Sequence, residues 1–175
     1  MHTHAADFVG TTLWRLDPDR SSIEFQVPAA WGLSTVKGSF SRFHGTLNSS
    51  AINLTIEADS IDTDNARRDT HLRSPDFFDV GRYPYIRFVS ETVALDGDRL
   101  KVRGRLHARG TSMPLEIDAT LRPAGDELEV EAVTRADHHR LGMTWNRMRL
   151  VGTPTKLLVT GRLVQERSRS ASQAA

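Results

Sequence analysis

Short segments in which apolar and polar residues alternate are the feature of this sequence that most constrains its fold. Residues 52–57, 115–121 and 128–132 each show this pattern over their whole length. Alternation with a period of two places one set of side chains on one face of a β-strand. Turn sequences such as Asp96-Gly97 separate the segments, so the sequence predicts an antiparallel meander of about eight strands.

A meander of this length has two ways to bury its apolar face. It can split into two packed sheets, or it can close into a barrel. A barrel of roughly eight strands encloses a cavity large enough for one small ligand, and closure also removes exposed strand edges. The alternation alone is compatible with both a sandwich and a barrel.

Residues 57–88 interrupt the strand pattern and concentrate the helix signals. Asp62 or Asp64 is expected to cap a helix over residues 65–73, a range without glycine or proline. Asp69 and Arg73 lie four residues apart, and such a pair stabilises a helix by roughly 0.2–0.5 kcal/mol. The helix is short and polar, so other contacts must hold it in place.

The residues after this helix predict how it is held. Ser74-Pro75-Asp76 has the composition of a second helical start, with proline at the first helical position. Phe77 and Phe78 follow directly, and Gly81 is expected to end the turn with a positive φ. Residues 57–88 are therefore predicted to form a helical flap, attached by two phenylalanines to one end or flank of the β structure.

Composition excludes several classes of function. The chain has 175 residues, 38% hydrophobic and 26% charged, which is typical of one soluble globular domain. It has no cysteine, which excludes thiol chemistry and cysteine-bound metals. The formal net charge of +1 predicts neither nucleic-acid binding nor attraction to an anionic membrane. The first residues carry no signal-peptide pattern and no segment has the length of a membrane span, so we expect a cytoplasmic protein without stable membrane insertion.

The search for catalytic motifs finds only weak candidates. Gly32-Leu33-Ser34 begins like a nucleophile elbow, but the closing glycine is missing. His138 and His139 are adjacent and, on a strand, would point to opposite faces, so they would not share a metal. The sequence therefore predicts no catalytic residues, no metal and no cofactor, and a protein that is not an enzyme.

Arginines recur with a period of two at Arg103 and Arg105, with Arg109 four residues further on. They could line a groove for nucleic acid if exposed aromatic residues lay between them. Acidic residues on neighbouring segments balance them, for example Glu116 and Glu129. The favoured interpretation is the solvated exterior of a barrel.

Several motifs in a fixed order resemble those of the YceI-like family. The resemblance extends over residues 14–164 and is strongest in the interrupted stretch. The motifs that carry it are Trp14-Arg15-Leu16-Asp17-Pro18, Ser21-Ser22-Ile23-Glu24-Phe25, Val36-Lys37-Gly38-Ser39-Phe40, Phe43-His44-Gly45-Thr46-Leu47, Ser60-Ile61-Asp62-Thr63, Arg68-Asp69, His71-Leu72-Arg73-Ser74, Asp76-Phe77-Phe78-Asp79, Tyr83-Pro84-Tyr85-Ile86-Arg87-Phe88, Val102-Arg103-Gly104-Arg105-Leu106, Arg109-Gly110-Thr111 and Pro114-Leu115.

This resemblance implies an all-β fold, an extended antiparallel eight-stranded lipocalin-like β-barrel with a short helical flap insertion. It also implies a non-enzymatic protein that binds, transports or sequesters a long-chain apolar ligand inside the barrel. The ligand classes expected from it are a polyisoprenoid, a prenylated quinone or a fatty-acid derivative. The sequence departs from the family in residues 143–148 and in the His138-His139 pair, so the ligand end is expected to differ.

Apolar residues on the predicted inner face and in irregular segments are the candidates for contact with such a ligand. Arg73, Tyr83 and Asn146 are the candidates for contact with its polar head. The predicted lining and mouth residues are Phe25, Val27, Trp31, Leu33, Val36, Phe40, Phe77, Phe78, Phe88, Leu106, Leu115, Met143, Trp145 and Met148.

The chain is expected to consist of a flexible leader (residues 1–11), a barrel domain (12–166) and a disordered tail (167–175), and a homodimer is possible. Two alternatives stay open. A small-molecule enzyme could use the same pocket, with His71 and Asp69 or Asp76 facing it. An interaction module could instead use exposed Trp and Met side chains, with Trp31 and Trp145 as anchors.

Overall fold

The computed structural model describes residues 3–29, 33–143 and 154–166. These residues form eleven β-segments and two α-helices. The helices are α1 (Ala5–Val9) and α2 (Ala66–Arg73), and the β-segments are β1 (Trp14–Leu16), β2 (Ser22–Ala29), β3 (Ser34–Phe40), β4 (Phe43–Leu47), β5 (Ile52–Glu57), β6 (Ile61–Asp62), β7 (Tyr85–Asp96), β8 (Arg99–Ala108), β9 (Thr111–Ala124), β10 (Glu127–Ala136) and β11 (Thr155–Gln165).

The eleven segments make a closed antiparallel barrel of eight strands, because three strands are each broken in two. The pairs β1 and β2, β3 and β4, and β5 and β6 are the halves of these broken strands. The first broken strand is hydrogen-bonded to the second through β1–β4 and β2–β3. The second broken strand is hydrogen-bonded to the third through β4–β5 and β3–β6. The order then continues β5–β7–β8–β9–β10–β11, and β11 pairs with both β1 and β2. The predicted all-β barrel of eight antiparallel strands is confirmed.

Tight turns connect the later strands, as the sequence predicts. Asp96 pairs with Arg99 across the β7–β8 turn, and Ala108 pairs with Thr111 across the β8–β9 turn. The two central residues of the second turn, Arg109 and Gly110, both have positive φ, 52° and 69°. A two-residue loop of this kind matches the right-handed twist of the flanking strands. The two turns lie at opposite ends of β8 and mark the two ends of the barrel.

The end of the barrel near Gly97 is filled by side chains and covered by α1. Trp14, Leu121 and Leu128 are fully buried there. The indole Nε1 of Trp14 donates a hydrogen bond to the carbonyl of Val9 (3.3 Å), and the amide of Ala6 donates to the carbonyl of Gly97 (3.1 Å). We call this the closed end.

Helix α1 lies within residues 1–11, the range that the sequence predicts to be a flexible leader. Ala5 and Val9 are 0% and 1% exposed, so this part of the leader belongs to the packed structure. A helix of five residues is too short to be stable alone. It forms here because the barrel supplies its hydrogen-bond partners, including Asp98, whose carboxylate accepts from the amide of Ala5 (2.8 Å).

The opposite end is covered by the predicted flap, and α2 lies within the expected range. Its N-cap is Asn65, whose side chain accepts a hydrogen bond from the amide of Arg68 (3.0 Å). The prediction of Asp62 or Asp64 as the cap is therefore wrong. Asp62 instead accepts from the amide of Asp64 (2.8 Å), in the turn that leads into the helix.

The expected pairing of Asp69 with Arg73 is replaced by other contacts. Asp69 is buried and accepts from the amide and the hydroxyl of Thr63 (3.0 and 2.5 Å). Arg73 donates to the carbonyls of Asp59 and Ile61 (both 2.9 Å). Both residues therefore tie the helix to the chain that precedes it, which holds the short helix in place.

The turn after α2 reverses at a different residue from the one predicted. Asp79 has a φ of 51°, whereas Gly81 is not among the residues with positive φ. The amides of Phe78 and Asp79 donate to the carbonyls of Leu72 and Ser74 (3.0 and 2.9 Å). These bonds place Phe77 and Phe78 under the flap. Neither described helix is long and apolar enough to span a membrane.

Candidate functional site: an apolar cavity under the flap

A cavity of about 130 Å³ lies in the half of the barrel beneath the flap. On every long strand its lining comes from the half nearest the flap: on β8 it includes Leu106 but not Leu100, and on β9 Leu115 but not Leu121. The lining residues are Ile23, Phe25, Val27, Val36, Phe40, Leu54, Ile56, Ile61, Leu72, Phe77, Phe78, Ile86, Phe88, Leu106, Ala108, Leu115, Ile117, Thr134, Ala136, His138, Leu141, Met143, Thr155, Leu157 and Val159.

Four phenylalanines connect the barrel wall to the flap. The rings of Phe25 and Phe40 lie 5.5 Å apart, those of Phe40 and Phe78 lie 6.0 Å apart, and those of Phe77 and Phe78 lie 4.9 Å apart. The last two pairs are edge-to-face, an arrangement worth about 0.5–1.5 kcal/mol per pair beyond the burial of area. The cluster thus attaches the flap and forms one wall of the cavity.

Gly38 on β3 provides the space for this cluster. A Cβ atom at this position would overlap the ring of Phe25 on the adjacent strand. The missing side chain of Gly38 therefore lets the ring of Phe25 lie against the backbone of β3.

Among the described lining residues, the polar side chains are those of Thr134, His138 and Thr155. His138 is 5% exposed and begins a 3-10 turn, His138–Leu141, directly after β10. Its Nδ1 lies 2.8 Å from the hydroxyl oxygen of Thr155. Its Nε2 is buried and makes no hydrogen bond with any described residue.

The surroundings of His138 favour its neutral form. Burial lowers the pKa of His138 below its ordinary value of 6.5, and the neighbouring His139 acts in the same direction, while Asp137 opposes both. The two imidazole rings meet edge-to-face with centroids 4.6 Å apart. The pair lies in a 3-10 turn rather than on a strand, and Asp137 caps this turn by accepting from the amide of His139 (3.0 Å).

The structure brings most of the predicted ligand-contact residues into one cavity. Leu33 is not among them, since it is 88% exposed and does not line the cavity. Trp31, Trp145, Met148 and Asn146 lie outside the described residues. The predicted residues that line the cavity are Phe25, Val27, Val36, Phe40, Phe77, Phe78, Phe88, Leu106, Leu115 and Met143.

Arg73 and Tyr83, proposed from sequence as head-group contacts, do not line this cavity. Arg73 is committed to backbone carbonyls. Tyr83 packs against Gly110 on the outside of the barrel, where it borders a shallow surface groove with Arg82 and Arg87. Arg82 lies over the ring of Tyr83 at 5.7 Å.

The residues named for an enzymatic alternative do not converge on the cavity either. His71 and Asp76 are exposed, and buried Asp69 is bonded to Thr63. None of the three is a lining residue. Within the described ranges, no cluster of three or more His, Asp or Glu side chains could hold a metal ion.

The three arginines of the predicted groove have separate partners. Arg103 pairs with Glu116 (2.9 Å) on the exposed surface, and Arg105 donates to the hydroxyl of Ser112 (3.0 Å). Arg109 instead donates from Nη1 to the carbonyl of Gly142 (2.5 Å) and from Nη2 to that of Pro75 (2.7 Å). It therefore links the β8–β9 turn to the flap and to the segment that follows His138.

Sequence reasoning missed lining residues of two kinds. The alternation of Ile23 with Phe25, and the strand pattern of Leu157 and Val159, contained enough information to place these side chains inside. His138 had a weaker sequence signal, Asp137 directly before it and Gly142 four residues after it, an order of residues that is typical of a short helical turn.

These features define a class of protein: a closed eight-stranded β-barrel with an apolar internal cavity beneath a helical flap. The sequence pattern of the YceI-like domain matches residues 14–163, and the chain belongs to that family. A UPF0312 protein of Pectobacterium atrosepticum is 40% identical over 112 residues, 60% of this chain and 58% of the relative. The match thus spans little more than half of that relative's length.

Solved structures share the fold at low sequence identity. BcnA of Burkholderia cenocepacia superposes with a TM-score of 0.72 at 17% identity, covering 85% of this chain and 98% of that one. A polyisoprenoid-binding domain from Saccharophagus degradans gives a TM-score of 0.69 at 13% identity, covering 87% and 98%. At these identities the comparison establishes the fold.

Proposed function

We propose that this protein binds an apolar ligand in the cavity under the flap, without catalysing a reaction. The observation that carries the proposal is a cavity inside a closed barrel whose described lining is apolar except for Thr134, His138 and Thr155. Membership in the YceI-like family and the likeness to a domain described as polyisoprenoid-binding support it. Each methylene moved from water into such a site contributes about 0.8 kcal/mol.

The size of the cavity constrains the ligand. Its volume of about 130 Å³ is below the roughly 300–1,000 Å³ of pockets that enclose drug-sized molecules. The closed end is filled by Trp14, Leu121 and Leu128, so a chain cannot extend through the barrel. A short isoprenoid or acyl chain needs the smallest rearrangement, and a longer polyisoprenoid, prenylated quinone or fatty-acid derivative requires the flap to move outward.

The proposal is tested by native mass spectrometry of freshly purified protein, followed by solvent extraction and lipid analysis. Geraniol, farnesol and geranylgeraniol are then added to delipidated protein, and their dissociation constants are measured. We expect a stoichiometric adduct and saturable binding, with affinity that stops rising once the chain exceeds the available space. A clean apo mass together with no uptake of any of the three alcohols would refute the proposal.

A cavity-filling variant shows whether binding occurs at this site. Ala136 lies on the cavity wall, so Ala136→Leu places three additional carbon atoms in the ligand's space and should weaken binding at least tenfold. Ala94→Leu adds the same atoms at an exposed position of β7 and should leave binding unchanged. Equal affinities in the two variants would place the ligand elsewhere.

Ligand binding in the cavity is compatible with two biological roles, transport and sequestration. A protein that shields an apolar molecule from water can transport or sequester it, and the two roles differ in how fast the ligand leaves. A cytoplasmic location and a homodimer stay predictions, which cell fractionation and light scattering test directly.

A further inference from the structure

The imidazole of His138 presents an unusual atom in the cavity wall. Its Nε2 is buried and has no partner among the described residues, and the residue as a whole is only 5% exposed. Buried polar atoms are nearly always hydrogen-bonded, and leaving one unpaired costs about 1–3 kcal/mol. This nitrogen, at the border of an otherwise apolar cavity, is therefore available to a polar group of a bound ligand.

The position of the ring is fixed by its other nitrogen. Nδ1 lies 2.8 Å from the hydroxyl oxygen of Thr155, at the beginning of β11. If the hydroxyl donates this bond, Nε2 carries a hydrogen and needs an acceptor; if Nδ1 donates it, Nε2 needs a donor. A hydroxyl group on the ligand satisfies both arrangements.

The charge of the cavity argues for a neutral partner. Its described lining contains no lysine, arginine, aspartate or glutamate, and burial holds the pKa of His138 low. A phosphate or carboxylate placed there would lose its hydration with no cation beside it to compensate. A neutral oxygen function, such as an alcohol, loses far less.

We propose that His138 Nε2 hydrogen-bonds a neutral oxygen function of the ligand, so that the protein selects apolar chains carrying an alcohol over pure hydrocarbons. This inference rests on the proposed function and deepens it. His138 is then a specificity residue at the flap end, and the rest of the cavity supplies affinity through apolar contact.

Two ligands and three proteins test the proposal. Farnesol and farnesene share a fifteen-carbon isoprenoid skeleton, and only the former carries a hydroxyl. The measured quantity is the ratio of their dissociation constants, compared between proteins so that each ligand's behaviour in water cancels. His138→Asn keeps a polar atom near Nδ1 for Thr155 and removes Nε2, and His44→Asn is the control, the same substitution at an exposed position of β4 that does not line the cavity.

We expect the preference for farnesol to fall about two- to tenfold in His138→Asn, the effect of one hydrogen bond, and to stay unchanged in His44→Asn. An unaltered preference in a folded His138→Asn protein, with both ligands still bound, would overturn the role of His138 but leave the proposed function intact. Failure of wild-type protein to bind either ligand would overturn both.

A measurement on the wild-type protein avoids any dependence on variant folding. Nitrogen-15 chemical shifts of the His138 ring report hydrogen bonding at each nitrogen separately. Farnesol should shift the Nε2 resonance further than farnesene does, while Nδ1 stays near its unliganded value. Identical Nε2 shifts with the two bound ligands would contradict the proposal.

Discussion

Replacing Arg109 by alanine is expected to loosen the flap while leaving the barrel intact. Arg109 donates to the carbonyls of Gly142 (2.5 Å) and Pro75 (2.7 Å). One side chain therefore holds both the flap and the segment after His138 against the β8–β9 turn. Alanine at a φ of 52° carries the same backbone cost as arginine. The substitution therefore isolates the loss of the two hydrogen bonds.

The magnitude follows from the environment of these bonds. Hydrogen bonds to charged groups contribute about 1.5–3 kcal/mol, but water can replace a donor lost near the surface. The range of neutral bonds, about 0.5–1.5 kcal/mol each, is then more appropriate. Two bonds give about 1–3 kcal/mol, which raises the population of the open flap roughly 5- to 140-fold.

Hydrogen exchange of backbone amides measures this opening directly. The amides of Phe78 and Asp79, bonded within the flap, and that of Met143, bonded to His138, should exchange faster in Arg109→Ala. Amides of the β9–β10 pair should keep their wild-type rates. Bound farnesol should dissociate faster by a similar factor if its release requires the open flap.

Arg103→Ala is the matched control, on the same strand as the β8–β9 turn. Its ion pair with Glu116 joins side chains that are 74% and 69% exposed, and such pairs contribute little. If the flap amides exchange no faster in Arg109→Ala than in Arg103→Ala, Arg109 does not hold the flap. Faster exchange spread evenly over all strands would show a global loss of stability instead.

Three further predictions concern the barrel itself. Leu121 at the closed end is 0% exposed, so Leu121→Ala should lower the free energy of unfolding in urea by about 2–5 kcal/mol. Ligand affinity should stay unchanged. A loss of affinity would contradict the view that the closed end and the cavity are separate parts of the barrel. Gly104→Ala would overlap the carbonyl oxygen of Val89 beside the β7–β8 bulge and should lower Tm by several degrees; an unchanged Tm would mean that the bulge adjusts freely. Folding lowers the pKa of His138, so as the pH falls the unfolded chain binds a proton at this residue before the folded protein does. The free energy of unfolding should therefore decrease as the pH drops below about 6.5. In urea titrations at several pH values, His138→Asn should lack this part of the pH dependence.

The strands and much of the cavity wall could be predicted from sequence. Each strand of a barrel has one face toward solvent and one toward the interior, so polar and apolar residues alternate along it. Phe25, Phe40 and Leu106 alternate with polar residues, and all three line the cavity. The same rule failed for Leu33, which is apolar but 88% exposed. An apolar residue outside a regular strand has no neighbours in sequence that fix its direction.

Details of the flap and of α1 could not be predicted because the local signals are degenerate. Asp62, Asp64 and Asn65 are all good N-cap residues, and only the position of the preceding β6 decides for Asn65. Helix α1 depends on Gly97 and Asp98, which lie some ninety residues away in the chain. Contacts between residues so far apart in the chain produce no local pattern in the sequence.

Arg109 contacts the short segment that contains His138. We therefore predict that ligand selection and flap opening are coupled. Arg109 donates to the carbonyl of Gly142, and the amide of Gly142 donates to the carbonyl of His139 (3.0 Å). The 3-10 turn that positions His138 is thus held at its end by Arg109. Releasing that end should let the imidazole move away from the ligand's hydroxyl.

A double-mutant cycle tests this coupling through the preference for farnesol over farnesene. Arg109→Ala alone should reduce the preference, because it displaces His138. In His138→Asn there is no Nε2 to displace, so adding Arg109→Ala should reduce the preference no further, although dissociation still accelerates. Contacting or linked sites typically show such non-additivity, whereas independent sites give effects that add. An equal reduction of the preference by Arg109→Ala in both backgrounds would mean that Arg109 affects ligand selection independently of His138. No reduction in either background would mean that the flap controls only the rate of exchange.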